Sequence, residues 1–217
     1  MAIAKYRDRQ LDGDYSLRGS YRLQCQTGAV TVIAGRTATA GHLFSFRWSS
    51  STSVKCYLKR VAARFILTTA YGTAQETGLD MILARSYTAS HTGATAVDVG
   101  STVTNTGKLA TSMATSLIVA NAVRVANAGA LTAGTHTFDA NAFALIGGWS
   151  GAIGDCIPAA SSGLQYADLY NAQDLTTPPI VFSQDEGFVL RNSVLMGATG
   201  VGRWDFIVEW DEGTPTT

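Results

Sequence analysis

The chain has 217 residues, with Lys and Arg totalling 16, Asp and Glu totalling 16, and a charged share of 15% against a hydrophobic share of 46%. That length bounds it to one domain or two small ones, with enough apolar material for a core. The balanced, sparse charge excludes a bulk electrostatic nucleic-acid binder, an acidic solvating protein and most disordered classes.

Charge this far below the usual ~25% leaves little like-charge repulsion between copies, so the composition leans toward a protein that lives in an assembly. Residues 1–17 are polar and mix both signs, with Tyr6, Arg7, Arg9, Leu11 and Tyr15 among them. They lack the apolar stretch of a signal peptide, and no segment approaches the ~20 apolar residues of a membrane span. Three cysteines, Cys25, Cys56 and Cys156, fall far apart without metal-ribbon or redox spacing, as expected of thiols in a reducing, cytoplasmic compartment.

Alternation of apolar and polar residues then dominates, the pattern of strands with one buried face. Strands are expected over 20–25, 30–34 and 43–49, the last placing Phe44, Phe46 and Trp48 on one face. In 54–58 the apolar set is Val54, Cys56 and Leu58, whereas in 61–67 it moves to Val61, Ala63, Phe65 and Leu67. One extra residue exchanges the faces of a strand, so a β-bulge or corner is expected near Lys59 and Arg60. Further strands are read at 79–83, 136–145 and 180–182, with loop or edge strand over 90–108, one short helix over 109–123, and a long surface excursion over 147–174.

Residues 188–192, a glycine-rich turn over 197–202 and the run 203–210 read as a closing hairpin. In that last run Trp204, Phe206, Val208 and Trp210 point inward, and Arg203, Asp205 and Glu209 face water. The expected fold is all-β: an antiparallel β-sandwich, jelly-roll-like, with long loops and at most one short helix. Residues 1–17 form an N-terminal arm, 18–212 the single β-sandwich domain and 213–217 a C-terminal tail.

Motifs for chemistry are missing. The string Gly148-Trp-Ser-Gly151 has its last glycine one position too early for a nucleophile elbow. Gly197 to Gly202 has the glycine order GxxGxG, without the Lys-Ser/Thr ending of a phosphate loop, and precedes a strand. His42, His91 and His136 have no metal-ligand spacing; His136 with Asp139 reads as a solvated turn sooner than as a dyad. The acidic residues Asp185, Glu186, Glu209, Asp211 and Glu212 read as solvated turn and tail charges, since neighbours on a strand point to opposite faces. The cations Lys55, Lys59, Arg60 and Arg64 read as the polar face of two strands or a contact to an acidic neighbour. No enzyme activity, catalytic residue, metal or cofactor is expected.

Phrases within residues 55–212 resemble structural proteins of tailed-bacteriophage virions. They are Gly78-Leu-Asp-Met-Ile-Leu-Ala-Arg-Ser-Tyr, Thr106-Gly-Lys-Leu-Ala-Thr-Ser-Met, Ala130-Leu-Thr-Ala-Gly-Thr, Gln184-Asp-Glu-Gly-Phe-Val-Leu-Arg-Asn and Gly200-Val-Gly-Arg-Trp-Asp-Phe-Ile-Val-Glu-Trp-Asp-Glu. The resemblance is one of texture and phrase order, without a catalytic motif. It implies a β-sandwich module of the virion, most like a capsid decoration or cement protein, with the major capsid protein as partner and no enzyme activity. A homotrimer suits local three-fold positions of a shell, with no specific nucleic acid and no membrane as partner. The N-terminal residues and the acidic stretch beyond Trp210 are the expected arms. Trp149, Tyr166 and Tyr170 are expected to cover the edge of the sandwich or a subunit interface, or, in a tail, baseplate or receptor-binding protein, to stack on a host glycan.

Overall fold

The computed structural model describes residues 15–31, 33–35, 40–99, 107–110, 112–153, 156–157, 165–173 and 177–215. Tyr6, Arg7, Arg9 and Leu11 lie outside them. Fourteen strands form two seven-stranded sheets, every pairing is antiparallel, and no helix occurs among the described residues.

The strands in chain order are β1 (Tyr15–Gln26), β2 (Val30–Thr31), β3 (His42–Trp48), β4 (Lys55–Thr69), β5 (Gln75–Ala89), β6 (Thr95–Ala96) and β7 (Val123–Val125). They continue with β8 (Thr135–Phe138), β9 (Ala144–Ser150), β10 (Cys156–Ile157), β11 (Ala167–Asn171), β12 (Ile180–Phe182), β13 (Glu186–Asn192) and β14 (Val201–Pro215). The first sheet runs β1-β14-β4-β10, with β11 and β12 also on β4 and β2 on β14. The second runs β6-β7-β3-β13-β5-β8, with β9 also on β5. The sheets pack face to face as a β-sandwich, as the alternation predicts.

The core lies between them. Phe44, Phe46 and Trp48 of β3 are fully buried, as are Trp204, Phe206 and Val208 of β14, while Trp210 is 2% exposed. Across the interlayer Phe206 meets Phe44 at 5.5 Å between ring centroids, and Trp210 meets Phe46 edge-on at 5.5 Å.

The parity flip read from residues 54–67 falls at a β-bulge. Glu209 pairs with Arg60 and Trp210 with Leu58, so Lys59 is the additional residue on β4. Cys56 and Leu58 on one side of it, and Val61, Ala63 and Phe65 on the other, all reach the same core.

Four local expectations are corrected. The closing hairpin is absent: β13 pairs with β3 and β5 and β14 with β1 and β4, so residues 193–200 carry the chain from one sheet to the other. Alternation specifies which side chains face inward and leaves the pairing partner open. The described residues of the 109–123 segment are extended or turned, consistent with the poor helix propensity of its Thr and Ser. The 147–174 stretch contributes strands to both sheets, β9 to the second and β10 and β11 to the first. Finally, the outer face of β14 is not in water: Asp205 is 3% exposed and Asp211 5%.

That face is buried because β14 runs between two strands whose long cations lie across it. Arg64 bonds Asp205 at 2.7 Å and Lys59 pairs with Asp211 at 3.2 Å. Glu212, on the same side of the strand as Trp210 and 0% exposed, is the most deeply held of the acids of β14. It pairs with Arg18 at 2.7 Å and accepts hydrogen bonds from the Ser116 hydroxyl at 2.5 Å, the Leu117 N–H at 3.1 Å and the Trp210 indole at 3.3 Å. Burial raises its carboxyl pKa and these donors pull it back, with a net upward shift. Glu212 thereby pins residues 116–117 over the first sheet, beside the Tyr21 hydroxyl that donates to the Ala114 carbonyl at 2.8 Å. The pairing of β1 with β14 extends to Tyr15 opposite Pro215, so the sheet takes in residues 15–17 of the expected arm and 213–215 of the expected tail.

Two predictions test this reading of β14. Trp204→Ala should cost about 3–5 kcal/mol in urea unfolding, as for an aromatic removed from a packed core. Asp205→Ala should cost about 3 kcal/mol, since it strands the Arg64 guanidinium in a mostly buried position. A cost below about 0.5 kcal/mol for the second would return Asp205 to a solvated face. Separately, Glu212→Ala should release the tethered segment, and limited proteolysis should then cut within 112–122 faster than in the wild type.

Candidate functional site

Two features of the second sheet stand out: a histidine cluster on the face turned away from the core, and an open apolar edge strand. The cluster begins with a second bulge. Leu190 of β13 pairs with Phe44 and Arg191 with His42, which leaves Leu43 as the additional residue of β3. Leu43 goes into the main core, and His42 emerges beside Arg191 with its ring 5.7 Å from Phe138. Gly41, at φ +79°, makes the turn into β3 in a conformation that side-chain-bearing residues rarely adopt.

His91 follows the end of β5, and His136 lies in β8, the strand paired with that end. A Cβ on Gly134 would stand 2.2 Å from the Ala89 carbonyl oxygen, so glycine is what lets β8 close in there. Thr92 and Thr132 exchange backbone hydrogen bonds at 3.0 and 3.1 Å, and the Leu131 N–H donates to the His42 carbonyl at 2.8 Å. These contacts gather the chain's three histidines, which are 49 and 45 residues apart in sequence. One ring nitrogen from each lies within 4.8 Å of the others.

His42 Nδ1 and His91 Nε2 are 2.7 Å apart, and the His91 and His136 rings stack at 5.0 Å. His42 is 0% exposed and His91 1%, while His136 is half-buried. The surrounding shell is aromatic, with Phe138 at 4.0 Å from His136 and Tyr87 at 5.3 Å from it. Beyond Phe138, Arg191 and Asp80 form a buried bidentate ion pair at 2.9 and 2.7 Å. Burial first, then the positive charges that His42 and His136 would carry, push His91 down to about 3, so it is a neutral imidazole at physiological pH.

The sequence reading of His136 with Asp139 as a solvated turn is corrected. Asp139 is held by Arg85 through two hydrogen bonds at 2.8 and 2.7 Å, and His136 belongs to the cluster. The spacing of the histidines in sequence concealed this grouping. Its one visible trace is the glycine that stands close to each: Gly41, Gly93 and Gly134.

The second feature is β9, which pairs with β5 alone among the described strands. Ala144 and Ile146 pack on the core, while Leu145 and Trp149 alternate outward at 58% and 75% exposure. With Phe143 and Ile153, four of the nine exposed large apolar side chains among the described residues fall within 143–153.

The other predicted contact residues separate. Tyr170 is buried and its hydroxyl donates to the Pro178 carbonyl at 2.5 Å, which removes it as a stacking platform. Tyr166 lies under Arg64 on the first sheet, 4.7 Å from ring centroid to guanidinium carbon, away from the outward face of β9 that carries Trp149. Tyr15 is at the start of β1. Of the basic group, Lys59, Arg60 and Arg64 face carboxylates, with Arg60 bonding Asp168 at 2.7 Å, and Lys55 reaches the Ser183 hydroxyl at 3.2 Å. Asp185 is likewise paired, with Arg47 at 2.6 Å. Cys25 and Cys56 are free thiols, and burial raises both pKa values, Cys25 to about 12, so neither is a reactive thiolate at neutral pH.

No family model, curated protein or solved structure matches the chain.

The buried neutral state of His91 has a measurable consequence. From about pH 6.5, the ordinary value, down to about 3, the unfolded chain binds a proton at His91 that the folded chain refuses. Stability from this group is therefore complete above pH 6.5 and falls on acidification, by at most about 1.4 kcal/mol per pH unit. The groups facing it are His42, His136 and the neutral phenol of Tyr87, with Arg191 already neutralised by Asp80. Denaturant unfolding at successive pH values, with a chelator present, should show this slope, and His91→Phe should flatten it.

Proposed function

We propose that this protein is a structural component of a tailed-bacteriophage virion, bound to the outer capsid surface as a decoration or cement protein. The observation that carries the reading is the outward side of β9, paired with β5 alone among the described strands, where Leu145 and Trp149 stand exposed to water. Sheet edges are sites where another chain adds on, and monomers protect them with charge, proline or a covering loop. An apolar, uncharged edge suits a building block that covers it against a neighbour.

The phrase resemblance of residues 55–212 and the zero net charge support the same reading. The mechanism is thermodynamic. A protein that binds only the assembled shell stabilises it by mass action, and many copies bridging neighbouring capsomers add their contributions. Its partners are then the major capsid protein and its own copies, a homotrimer closing at local three-fold positions. Nucleic acid is disfavoured as a partner, since carboxylates already occupy Lys59, Arg60 and Arg64. The place of action is the virion, reached from the host cytoplasm during assembly. Burial of Tyr170 weighs against the alternative of a glycan-contacting tail protein, because it leaves Trp149 without that companion platform.

Quantitative mass spectrometry of purified particles tests the proposal through the copy number relative to the major shell protein. A ratio of the same order is expected. A few copies per particle would move the protein to the tail, and absence would overturn the reading. In the same particles, the double variant Leu145→Ser/Trp149→Ser should bind at least roughly tenfold more weakly, the effect of losing an aromatic anchor.

A further inference from the structure

All three histidines of the chain meet at one place, brought there by three separate elements: the bulged start of β3, the turn after β5 and the strand β8. We propose that His42, His91 and His136 form a three-histidine site for a divalent transition-metal ion, with zinc as the ion that the donor set fits. Imidazole nitrogen suits zinc and its neighbours, whereas calcium and magnesium demand oxygen ligands.

The geometry is close to what coordination requires. Zinc–nitrogen bonds of about 2.0–2.1 Å place two ligands of a tetrahedron about 3.3–3.4 Å apart. One nitrogen from each ring already lies within 4.8 Å of the others, and the 2.7 Å contact of His42 and His91 has only to open slightly. Small rotations of the partly exposed His136 ring supply most of the closure.

Two polar atoms at the cluster await partners. His91 Nδ1 is buried without a hydrogen-bond partner, and so is the hydroxyl of Tyr87, whose ring lies 6.1 Å from His91 and 5.3 Å from His136. Buried polar atoms in this state are rare, and an ion held through the His91 nitrogen that faces His42 leaves Nδ1 to carry the hydrogen of that ring. Coordination is redox-neutral. Each imidazole donates a lone pair, and the hydrogen between His42 and His91 moves to the other nitrogen of its own ring. Three neutral ligands leave a fourth position for water. The ion would then clip β3, the β5 turn and β8 together on the outward face of the second sheet. This is independent of what covers β9.

The full-length protein, stripped with chelator and then dialysed against zinc, should retain one ion per chain by elemental mass spectrometry. Its melting temperature should rise by about 5–10 °C at a hundredfold excess of zinc over Kd. His136→Gln, at the most exposed ligand, should weaken binding at least a hundredfold and abolish the thermal shift, with an unchanged near-ultraviolet dichroism spectrum. Zinc X-ray absorption of the wild type reads the ligands directly, without any variant, and should show imidazole scattering from three histidines. No retained zinc, binding that survives in His136→Gln, or a sulfur-dominated ligand shell would each overturn the proposal.

Discussion

The two sheets are joined by an aromatic seam, and the position of every other element depends on it. Trp210 of β14 stacks on Tyr21 of β1 at 5.4 Å and meets Phe46 of the opposite sheet edge-on. Phe206 meets Phe44, and Phe44 and Phe46 in turn contact Phe188 of β13. Rings of this size exclude water from the interlayer and fix its thickness, so each sheet must present large side chains on one face without a break. The bulge at Lys59 keeps that face continuous along β4, and the bulge at Leu43 releases His42 from it along β3.

Charge in this protein is spent internally. A chain with so few ionisable groups places Asp205, Asp211 and Glu212 on β14, one of its three longest strands, and covers each with a cation from β1 or β4. Such pairs add little net stability compared with apolar residues of the same shape, but each is costly to break, so they enforce register between strands. The same economy leaves the outer edge at β9 free of charge on its exposed side, where an apolar surface meets water.

The outward face of the second sheet thus carries two features with different physical logic. At β9 the exposed groups are apolar, the kind of surface that another surface would cover. At the histidine cluster the groups are ring nitrogens that converge from three elements, the kind of donor set that a small cation would fit.

The sequence by itself determined the layered β architecture, the inward sets Phe44, Phe46, Trp48 and Trp204, Phe206, Val208, Trp210, and even the bulge beside Lys59. All of these follow from a side-chain period of two, which is a local property of the chain. Tertiary structure alone decided what pairs with what: β13 and β14, adjacent in sequence, went to different sheets, and the acids of β14 were buried under cations more than a hundred residues away. It alone gathered His42, His91 and His136. Periodicity records which way a residue faces, but an ion pair or a ligand set depends on which strand lies alongside, and that is settled only when distant segments compete for the same hydrogen-bonding edges.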